Sequence, residues 1–216
     1  MNDRQSEFWD KGGLYRQLTH PVVEIFARQR IAHLKRRGLL REVGSVLDVG
    51  AGSGFSSAFY PPGLRVVACD YARGMLENNP APGRVRASAL QLPFPDASFD
   101  LVTCWELLHH LDDPRAALAE MWRVARRRLV VFEPNRIHPG HLMLALTRSE
   151  ERGTLRFSPG HLRRLITSAC GQLDLHERCG LLFPNVTPLP VARLVERLPY
   201  RVPLFGISQL ATAEKS

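Results

Sequence analysis

Short apolar runs alternate with helix-like stretches along most of the chain. Residues 20–37 place Val22, Phe26 and Ile31 on one broad face, which predicts an amphipathic helix. Apolar runs bounded by Gly, Pro, Asn or Asp then follow, and such runs are typical of buried strands. The predicted strands are Val46–Val49, Leu64–Cys69, Val85–Ala87, Phe99–Trp105 and Leu129–Phe132.

Helical stretches fit between these strands. The pattern predicts them over Gly54–Phe59 and Tyr71–Asn78, and a further helix begins after Asp112 or Asp113, with Pro114 in its first turn. Asp is a favoured helix N-cap, and Pro suits the first helical position. Strands that alternate with helices in this way form a parallel sheet with helices on both faces.

The last part of the chain has a different pattern. A helix from Ser158 to Ala169 leads to a strand over Leu173–Arg178, and a final strand covers Gly206–Ala213. The Pro- and Leu-rich insertion 181–204 separates these strands and contains a short helix over Val191–Leu198. Two strands without a full helical crossover suit an antiparallel pair.

The fold class is therefore α/β, a Rossmann-like doubly wound sheet of about seven strands with helices on both faces. The sheet is mostly parallel, with an antiparallel C-terminal strand. We expect a single domain over residues 1–216. It comprises an N-terminal helical region (1–40), a cofactor-binding core (41–136), and a lid and substrate region with the strand pair (137–216).

Composition favours an ordinary globular protein. Of the 216 residues, 44% are hydrophobic and 23% are charged, which argues against intrinsic disorder. Four scattered cysteines lack metal-ligand spacing, so we expect reduced thiols and no metal site. Met1–Trp9 is polar, with no basic run before an apolar segment, so we expect no signal peptide and a cytoplasmic protein.

The net charge of +8 comes almost entirely from arginine. A solvated basic surface explains it most simply. The alternatives are attraction to anionic lipid headgroups, as a peripheral membrane contact at most, or to nucleic acid. Charge alone does not choose among the three, and the oligomeric state is left open.

The segment Val46–Gly54 (VLDVGAGSG) carries the strongest chemical signal. Here a buried strand runs into glycines, which permit a sharp turn and a close backbone approach to a ligand. Asp70 ends the next strand, where an acidic residue can accept hydrogen bonds from both ribose hydroxyls. The glycine loop and Asp70 together predict a ribonucleotide-like cofactor.

Asp48 narrows the choice of cofactor. It lies two residues before the first glycine, where dinucleotide-binding proteins usually carry a small or apolar residue. A carboxylate there can pair, directly or through water, with an ammonium group. S-adenosylmethionine (SAM) has an α-ammonium and no pyrophosphate, whereas NAD has the reverse. A carboxylate satisfied within the protein is the structural alternative for Asp48.

From about Ser45 to Arg136 the sequence resembles the class I SAM-dependent methyltransferases, above all the group that includes the ubiquinone and menaquinone methyltransferases. The resemblance lies in Val46–Gly54, in Val66–Asp70, in the segment Leu92–Asp100 (LPFPDASFD) and in Glu106–Leu111 (ELLHHL). The C-terminal strand pair also resembles the hairpin that ends this fold. These motifs cover a little under half of the chain and indicate cofactor class rather than substrate.

The resemblance implies a SAM site, with S-adenosylhomocysteine (SAH) as the product. Its residues fall into groups around the methionine part, the ribose, the adenine and the sulfonium. The methionine part would be surrounded by Asp48, Gly50, Ala51, Gly52 and Ser53, and the ribose would be held by Asp70. The adenine would be bordered by Tyr71, Met75, Ser88, Ala89 and Leu90, and the sulfonium would lie near Trp105. Ser88 replaces an aspartate that is common in the family at the adenine amino group, and serine can still accept a hydrogen bond.

Methyl transfer from a sulfonium depends mainly on positioning, and a general base is needed only when the acceptor must lose a proton. His109, His110 and Glu106 are the candidate catalytic residues, although a histidine pair here is often structural in the family. Glu133 and Asn135, after the fifth strand, either line the acceptor pocket or make loop hydrogen bonds. The apolar segment His138–Leu146 predicts a lid.

We therefore expect methyl transfer from SAM to a small, probably apolar acceptor, lipid-like or aromatic, on oxygen, nitrogen or carbon. Methylation of RNA or protein is one alternative, although no nucleic-acid module and no N-P-P-Y-like tetrapeptide is evident, and no nucleic-acid partner is expected. A SAM-binding regulatory protein without turnover is another. A dinucleotide oxidoreductase is disfavoured by Asp48 and by the G-x-G-x-G spacing.

Overall fold

The computed structural model describes residues 16–215. Within that range seven strands form one sheet, in the order β3-β2-β1-β4-β5-β7-β6. Strands β1 to β5 are parallel, and β7 runs antiparallel to both β5 and β6. The strands are β1 (Ser45–Val49), β2 (Arg65–Asp70), β3 (Gly83–Arg86), β4 (Phe99–Trp105), β5 (Ala125–Pro134), β6 (Leu175–Cys179) and β7 (Ser208–Glu214).

Helices cover both faces of this sheet, as the predicted α/β class requires, so the fold class is confirmed. They are α1 (Pro21–Arg36), α2 (Arg73–Glu77), α3 (Pro114–Val124), α4 (Pro139–Thr147), α5 (Pro159–Cys170) and α6 (Leu189–Val195). Three 3₁₀ segments lie at Ser57–Phe59, Leu108–His110 and Ser149–Arg156. The Asp113 side chain accepts a hydrogen bond from Ala116 N at 2.9 Å and so caps α3, as the sequence predicts.

Alternate residues of each strand supply the two core layers. Leu47 of β1 packs with Leu118 of α3 and Leu162 of α5 on one face. Val46 packs with Ile31 of α1 on the other. Burial of such side chains is the main favourable contribution to folding, at about 25 cal/mol per Å² of apolar surface. All four cysteines are buried free thiols.

Two predicted elements differ from those observed in type or by more than three residues at one end, and the others differ by three residues or fewer. The helical stretch predicted over Gly54–Phe59 is a series of turns that ends in the 3₁₀ segment Ser57–Phe59. Strand β5 begins at Ala125 rather than at Leu129 because three arginines continue it. These arginines pair with acidic residues near one end of the sheet: Arg126 with Asp100, Arg127 with Glu42 and Arg128 with Glu214.

Strand order reverses between β1 and β4, which are direct neighbours in the sheet. Ligands of doubly wound sheets bind at the carboxyl ends of the strands next to such a switch point. The loops after β1, β2 and β4 meet there. No helix among residues 16–215 combines the length and apolar character that crossing a membrane requires. The N-terminal segment Met1–Trp9, on which the expectation of no signal peptide rests, lies outside the described residues.

Candidate active site

The glycine loop after β1 turns back on itself through left-handed backbone. Gly50 has φ 70° and Gly52 has φ 49°, a region that favours glycine. A Cβ at Gly50 would lie 2.8 Å from the Leu107 side chain, and one at Gly52 would lie 3.1 Å from the Met75 methyl. The loop is therefore packed closely between α2 and the segment after β4, and glycine is needed for space as well as for conformation.

Asp70 holds this loop from the end of β2. Its Oδ2 accepts a hydrogen bond from Gly52 N at 2.7 Å, and its Oδ1 accepts one from Ala72 N at 2.8 Å. The side chain thus spans the two turns that follow β1 and β2. Because the residue is only half-buried and lines the cavity described next, its carboxylate can also accept hydrogen bonds from a ligand.

A cavity of about 470 Å³ opens at the carboxyl ends of β1, β2 and β4. This volume lies in the range of small-molecule sites, roughly 300–1,000 Å³. Its wall contains every residue predicted to bind the cofactor except Asp48, and all three catalytic candidates. The predicted residues in the wall are Gly50, Ala51, Gly52, Ser53, Asp70, Tyr71, Met75, Ser88, Ala89, Leu90, Trp105, Glu106, His109 and His110.

Asp48 lies beneath the glycine loop, fully buried, and does not line the cavity. Its Oδ2 accepts hydrogen bonds from the hydroxyls of Ser56 and Ser57, whereas Oδ1 has no partner among the described residues. Burial raises the pKa of Asp48, and hydrogen bonds from the two serine hydroxyls lower it. Burial has the larger effect, so the pKa is raised to about 6. The structure therefore corresponds to the alternative of a carboxylate satisfied largely within the protein.

Glu106 begins the segment after β4 in a strained conformation. Its φ of 58° is unusual for a residue with a Cβ, and such strain often occurs at functional sites. The Glu106 carboxylate pairs with the guanidinium of Arg30 from α1, and it accepts a hydrogen bond from the Ser208 hydroxyl at 3.1 Å. Both Glu106 and Arg30 line the cavity.

The Arg30 side chain is completely buried. Its guanidinium carbon lies 4.2 Å from the ring centroid of Phe26, 4.6 Å from that of Phe132 and 5.1 Å from that of Trp105. Cation–π contacts of this kind strengthen when they are desolvated. Its Nε and Nη1 have no hydrogen-bond partner among the described residues, so the pair with Glu106 uses only part of its donor capacity.

Glu133 organises the 3₁₀ segment that carries the histidine pair. From the end of β5 its carboxylate accepts hydrogen bonds from Leu107 N at 2.9 Å, Leu108 N at 2.7 Å and His109 Nδ1 at 2.8 Å. The residue is fully buried and does not line the cavity. Asn135 is likewise buried, with its amide donating to Gly206 O at 2.8 Å. The suggestion that these two residues line an acceptor pocket is wrong, because both make loop hydrogen bonds instead.

The two histidines have opposite protonation preferences. Burial lowers the pKa of His109, but the carboxylates of Glu133 and Glu151 outweigh it and raise this pKa to about 10. Burial and the neighbouring His109 charge lower the pKa of His110 to about 3. Their ring centroids are 3.8 Å apart. At neutral pH the pair therefore holds one imidazolium and one neutral imidazole.

The comparisons with known proteins cover the region that contains most of this site. The family model described as a methyltransferase domain matches residues 47–131, which contain the glycine loop, Asp70 and the histidine pair. A demethylmenaquinone methyltransferase from Renibacterium salmoninarum is 43% identical over 110 residues, which are 45% of this chain and 46% of that protein. Over this central region the chain is similar to methyltransferases.

Solved structures show the same methyltransferase fold over more of the chain. A SAM-dependent methyltransferase from Thermotoga maritima has a TM-score of 0.67 at 18% identity and covers 90% of this chain and 92% of its own. The magnesium protoporphyrin IX methyltransferase of Synechocystis, solved with bound SAH, has a TM-score of 0.58 at 18% identity over 100% of this chain and 96% of its own. The chain spans about half the length of the Renibacterium relative.

Two charged residues in the cavity wall, Arg30 and Glu151, were missed by the sequence interpretation. Arg30 occurs 76 positions before Glu106, and Glu151 follows the predicted lid. The available signal was the helical spacing of Val22, Phe26 and Arg30, four residues apart, which places the arginine on the buried face of α1. No comparable signal identifies Glu151, because its neighbours Glu150 and Arg152 are also charged.

Proposed function

We propose that this protein transfers a methyl group from SAM to a small, largely apolar acceptor. The observation that carries the proposal is one cavity whose wall joins the glycine loop and Asp70 to an aromatic end that contains the partly buried ion pair of Arg30 and Glu106. The four buried free thiols support a reducing compartment, and hence the cytoplasm, as its place of action.

The residues at one end of the cavity, here called the cofactor end, fit SAM. The loop from Gly50 to Ser53 offers backbone without obstructing side chains, and Asp70 offers a carboxylate for the ribose hydroxyls. Tyr71 and Leu90 provide exposed apolar surface for the adenine ring. SAM supplies a methyl group activated on a cationic sulfonium. Two structural neighbours, one named as a SAM-dependent methyltransferase and one solved with bound SAH, support this assignment.

The other end of the cavity, the acceptor end, is lined by Phe26, Trp105 and Ile207 together with Arg30 and Glu106. Aromatic and aliphatic walls favour a flat apolar acceptor, and the ion pair offers both a hydrogen-bond donor and an acceptor to one polar substituent. A phenol or hydroquinone combines these properties. The name of the demethylmenaquinone methyltransferase relative supports this substrate class.

The chain contributes to methyl transfer chiefly by positioning and by excluding water. His109 holds its proton at neutral pH and therefore does not serve as a base there. His110 is the neutral imidazole of the pair, but its pKa, lowered to about 3, makes it a weak base, so it suits a hydrogen bond to an acceptor rather than removal of a proton. Glu106, paired with Arg30, orients the polar substituent.

The first experiment is calorimetric titration of the purified protein with SAM, SAH and NAD. We expect binding of SAM and SAH, and none of NAD, because Asp70 and the loop suit a ribose without a pyrophosphate. Turnover is then measured with methyl-labelled SAM and a panel of naphthohydroquinones and phenols, with bulk transfer RNA and a protein lysate as the other acceptors.

Each outcome decides between stated alternatives. Labelled small-molecule product supports the proposed reaction, whereas label in RNA or protein replaces it with methylation of a macromolecule. Binding of SAM and SAH without any labelled product supports a regulatory SAM-binding protein. Failure to bind either compound overturns the cofactor assignment.

A further inference from the structure

Exposed apolar side chains are concentrated in two segments of the described chain. Apart from Tyr71 and Leu90, which line the cavity, every large apolar residue classed as exposed lies in residues 137–146 or 186–205. A concentrated apolar patch marks an interaction surface more often than scattered single residues do. These exposed residues are Ile137, Leu142, Met143, Leu146, Val186, Val191, Leu194, Leu198, Leu204 and Phe205.

The two segments are neighbours beside the cavity. The Phe183 ring lies 5.4 Å from the ring centroid of His138 and 4.9 Å from that of His141, and so joins the second segment to α4. Pro184 and Asn185, which follow Phe183, line the cavity. The exposed apolar surface therefore borders the part of the cavity that Arg30 and Phe26 also line.

Helix α6 shows that this exposure follows a pattern. Its Ala192 is buried against Val22 and Phe26 of α1. Val191 and Leu194 of this helix are exposed, Leu194 by 68%, and the exposed Leu198 follows three residues after the helix ends. A helix that lies on a protein surface normally turns polar residues outward. This one has an apolar stripe on the outside as well as a buried inner face.

Arginines accompany the apolar stripe. Arg193, Arg197 and Arg201 are exposed, and Glu196 is the one acidic residue in 186–205. Arg197 and Arg201 also line a cleft of about 500 Å³ with Arg36 and Arg37 from the end of α1.

The carboxylate of Glu177 is buried and is bound by three residues that line this cleft, His33, Arg37 and Arg201. It neutralises only part of the positive charge, so the face is basic as well as apolar.

We propose that this apolar-basic face, formed by α4 and residues 186–205 with the Arg36–Arg37 end of α1, docks on an anionic lipid bilayer. Apolar side chains enter the headgroup region while arginines extend to lipid phosphates, which is how interfacial elements bind. The excess of arginine over acidic groups favours an anionic lipid surface over a second copy of the same basic face. Docking there would place the cavity beside a membrane, where apolar acceptors concentrate.

Sedimentation with lipid vesicles tests this surface. The full chain is incubated with vesicles of phosphatidylcholine alone and with vesicles that also contain phosphatidylglycerol. We expect binding to the anionic vesicles only. The variant L194S/L198S should bind at least about tenfold more weakly, because each buried leucine contributes favourable transfer energy. In the variant R193Q/R197Q the affinity for anionic vesicles should fall by about fivefold for each arginine removed.

The matched control is R163Q/R164Q, which removes two exposed arginines from α5, the helix that packs on the other face of the sheet. It should bind vesicles as the wild type does. Equal losses in the control and in R193Q/R197Q would reduce the effect to net charge and overturn the proposed face, as would absence of wild-type binding to anionic vesicles. Light scattering measures the oligomeric state. If the wild type forms a dimer that L194S/L198S dissociates, and no vesicle binding is seen, the face is assigned to self-association instead.

Vesicle binding requires neither SAM nor an acceptor, so its outcome is independent of the methyl-transfer proposal. Circular dichroism and thermal melting of each variant establish that it is folded. The substituted side chains are exposed, so unfolding is not expected to confuse the result.

Discussion

At the scale of single residues, one carboxylate spans the cofactor end of the cavity. Asp70 accepts backbone hydrogen bonds from Gly52 and Ala72 while lining the cavity. Asp70 therefore orders the same glycine loop that, in our proposal, contacts SAM. The neighbouring Asp48, by contrast, is directed at Ser56 and Ser57 and acts on the loop from below.

We expect Asp70→Ala to weaken SAH binding by about tenfold to a hundredfold, because hydrogen bonds to a charged group contribute about 1.5–3 kcal/mol each. Calorimetric titration measures the change. Asp70→Asn keeps the shape and one acceptor oxygen, so its affinity for SAH should lie between that of the wild type and that of Asp70→Ala. Unchanged affinity in Asp70→Ala would refute the ribose assignment.

A second residue-scale prediction concerns His109 and pH. Its pKa is raised to about 10, so the folded protein retains a proton that the unfolded chain loses above its ordinary value of 6.5. The resulting stabilisation is complete below about pH 6.5 and is lost as pH rises toward about 10, by up to about 1.4 kcal/mol per pH unit. The free energies of unfolding of wild type and His109→Gln, measured with urea, should therefore differ most at or below about pH 6.5 and converge as pH rises toward about 10. A difference that does not change with pH would contradict this protonation state.

At the scale of elements, the end of β5 supports the segment after β4. A single buried carboxylate, that of Glu133, binds the amides of Leu107 and Leu108 and the imidazole of His109. Two adjacent strands thus cooperate to hold one wall of the cavity in place.

Glu133→Gln should lower the free energy of unfolding by about 3 kcal/mol, as is typical when one partner of a buried charged pair is removed. Chemical denaturation measures it. Glu120→Gln is a suitable comparison, since Glu120 pairs with Arg123 nearer the surface and exposed pairs contribute about 1 kcal/mol or less. If the two variants lost equal stability, Glu133 would not have the supporting role described.

The element scale also shows what sequence can and cannot predict. Uninterrupted apolar strands and the glycine loop were predictable because their side-chain pattern is local. The start of β5 was not, because Arg126, Arg127 and Arg128 look like a surface loop until their acidic partners in distant segments are known. Arg30 was missed for the same reason, since its partner Glu106 is close only in the folded chain.

At the scale of the whole molecule, a ligand that binds only the folded state stabilises all of it. SAH at about a hundred times its dissociation constant should raise the free energy of unfolding by about 2.7 kcal/mol. For a chain of this size that corresponds to an increase in Tm of about 5–10 °C. Thermal melting with SAH, and with NAD as the control, measures the shift. An equal shift with NAD would favour a dinucleotide site.

The acceptor end of the cavity, unlike the cofactor end, draws part of its lining from outside the central region of the chain. Gly50 to Ser53, Asp70 and Leu90 build the cofactor end within one continuous region, whereas Phe26, Arg30 and Ile207 reach the acceptor end from the flanking parts. The family match covers residues 47–131 and so contains the first set but not the second. Chimaeras that keep this central region and exchange the flanking parts between relatives should therefore swap acceptor preference while retaining affinity for SAM. Retained SAM affinity with exchanged acceptor preference would show that the flanking parts can be transplanted independently of the central region.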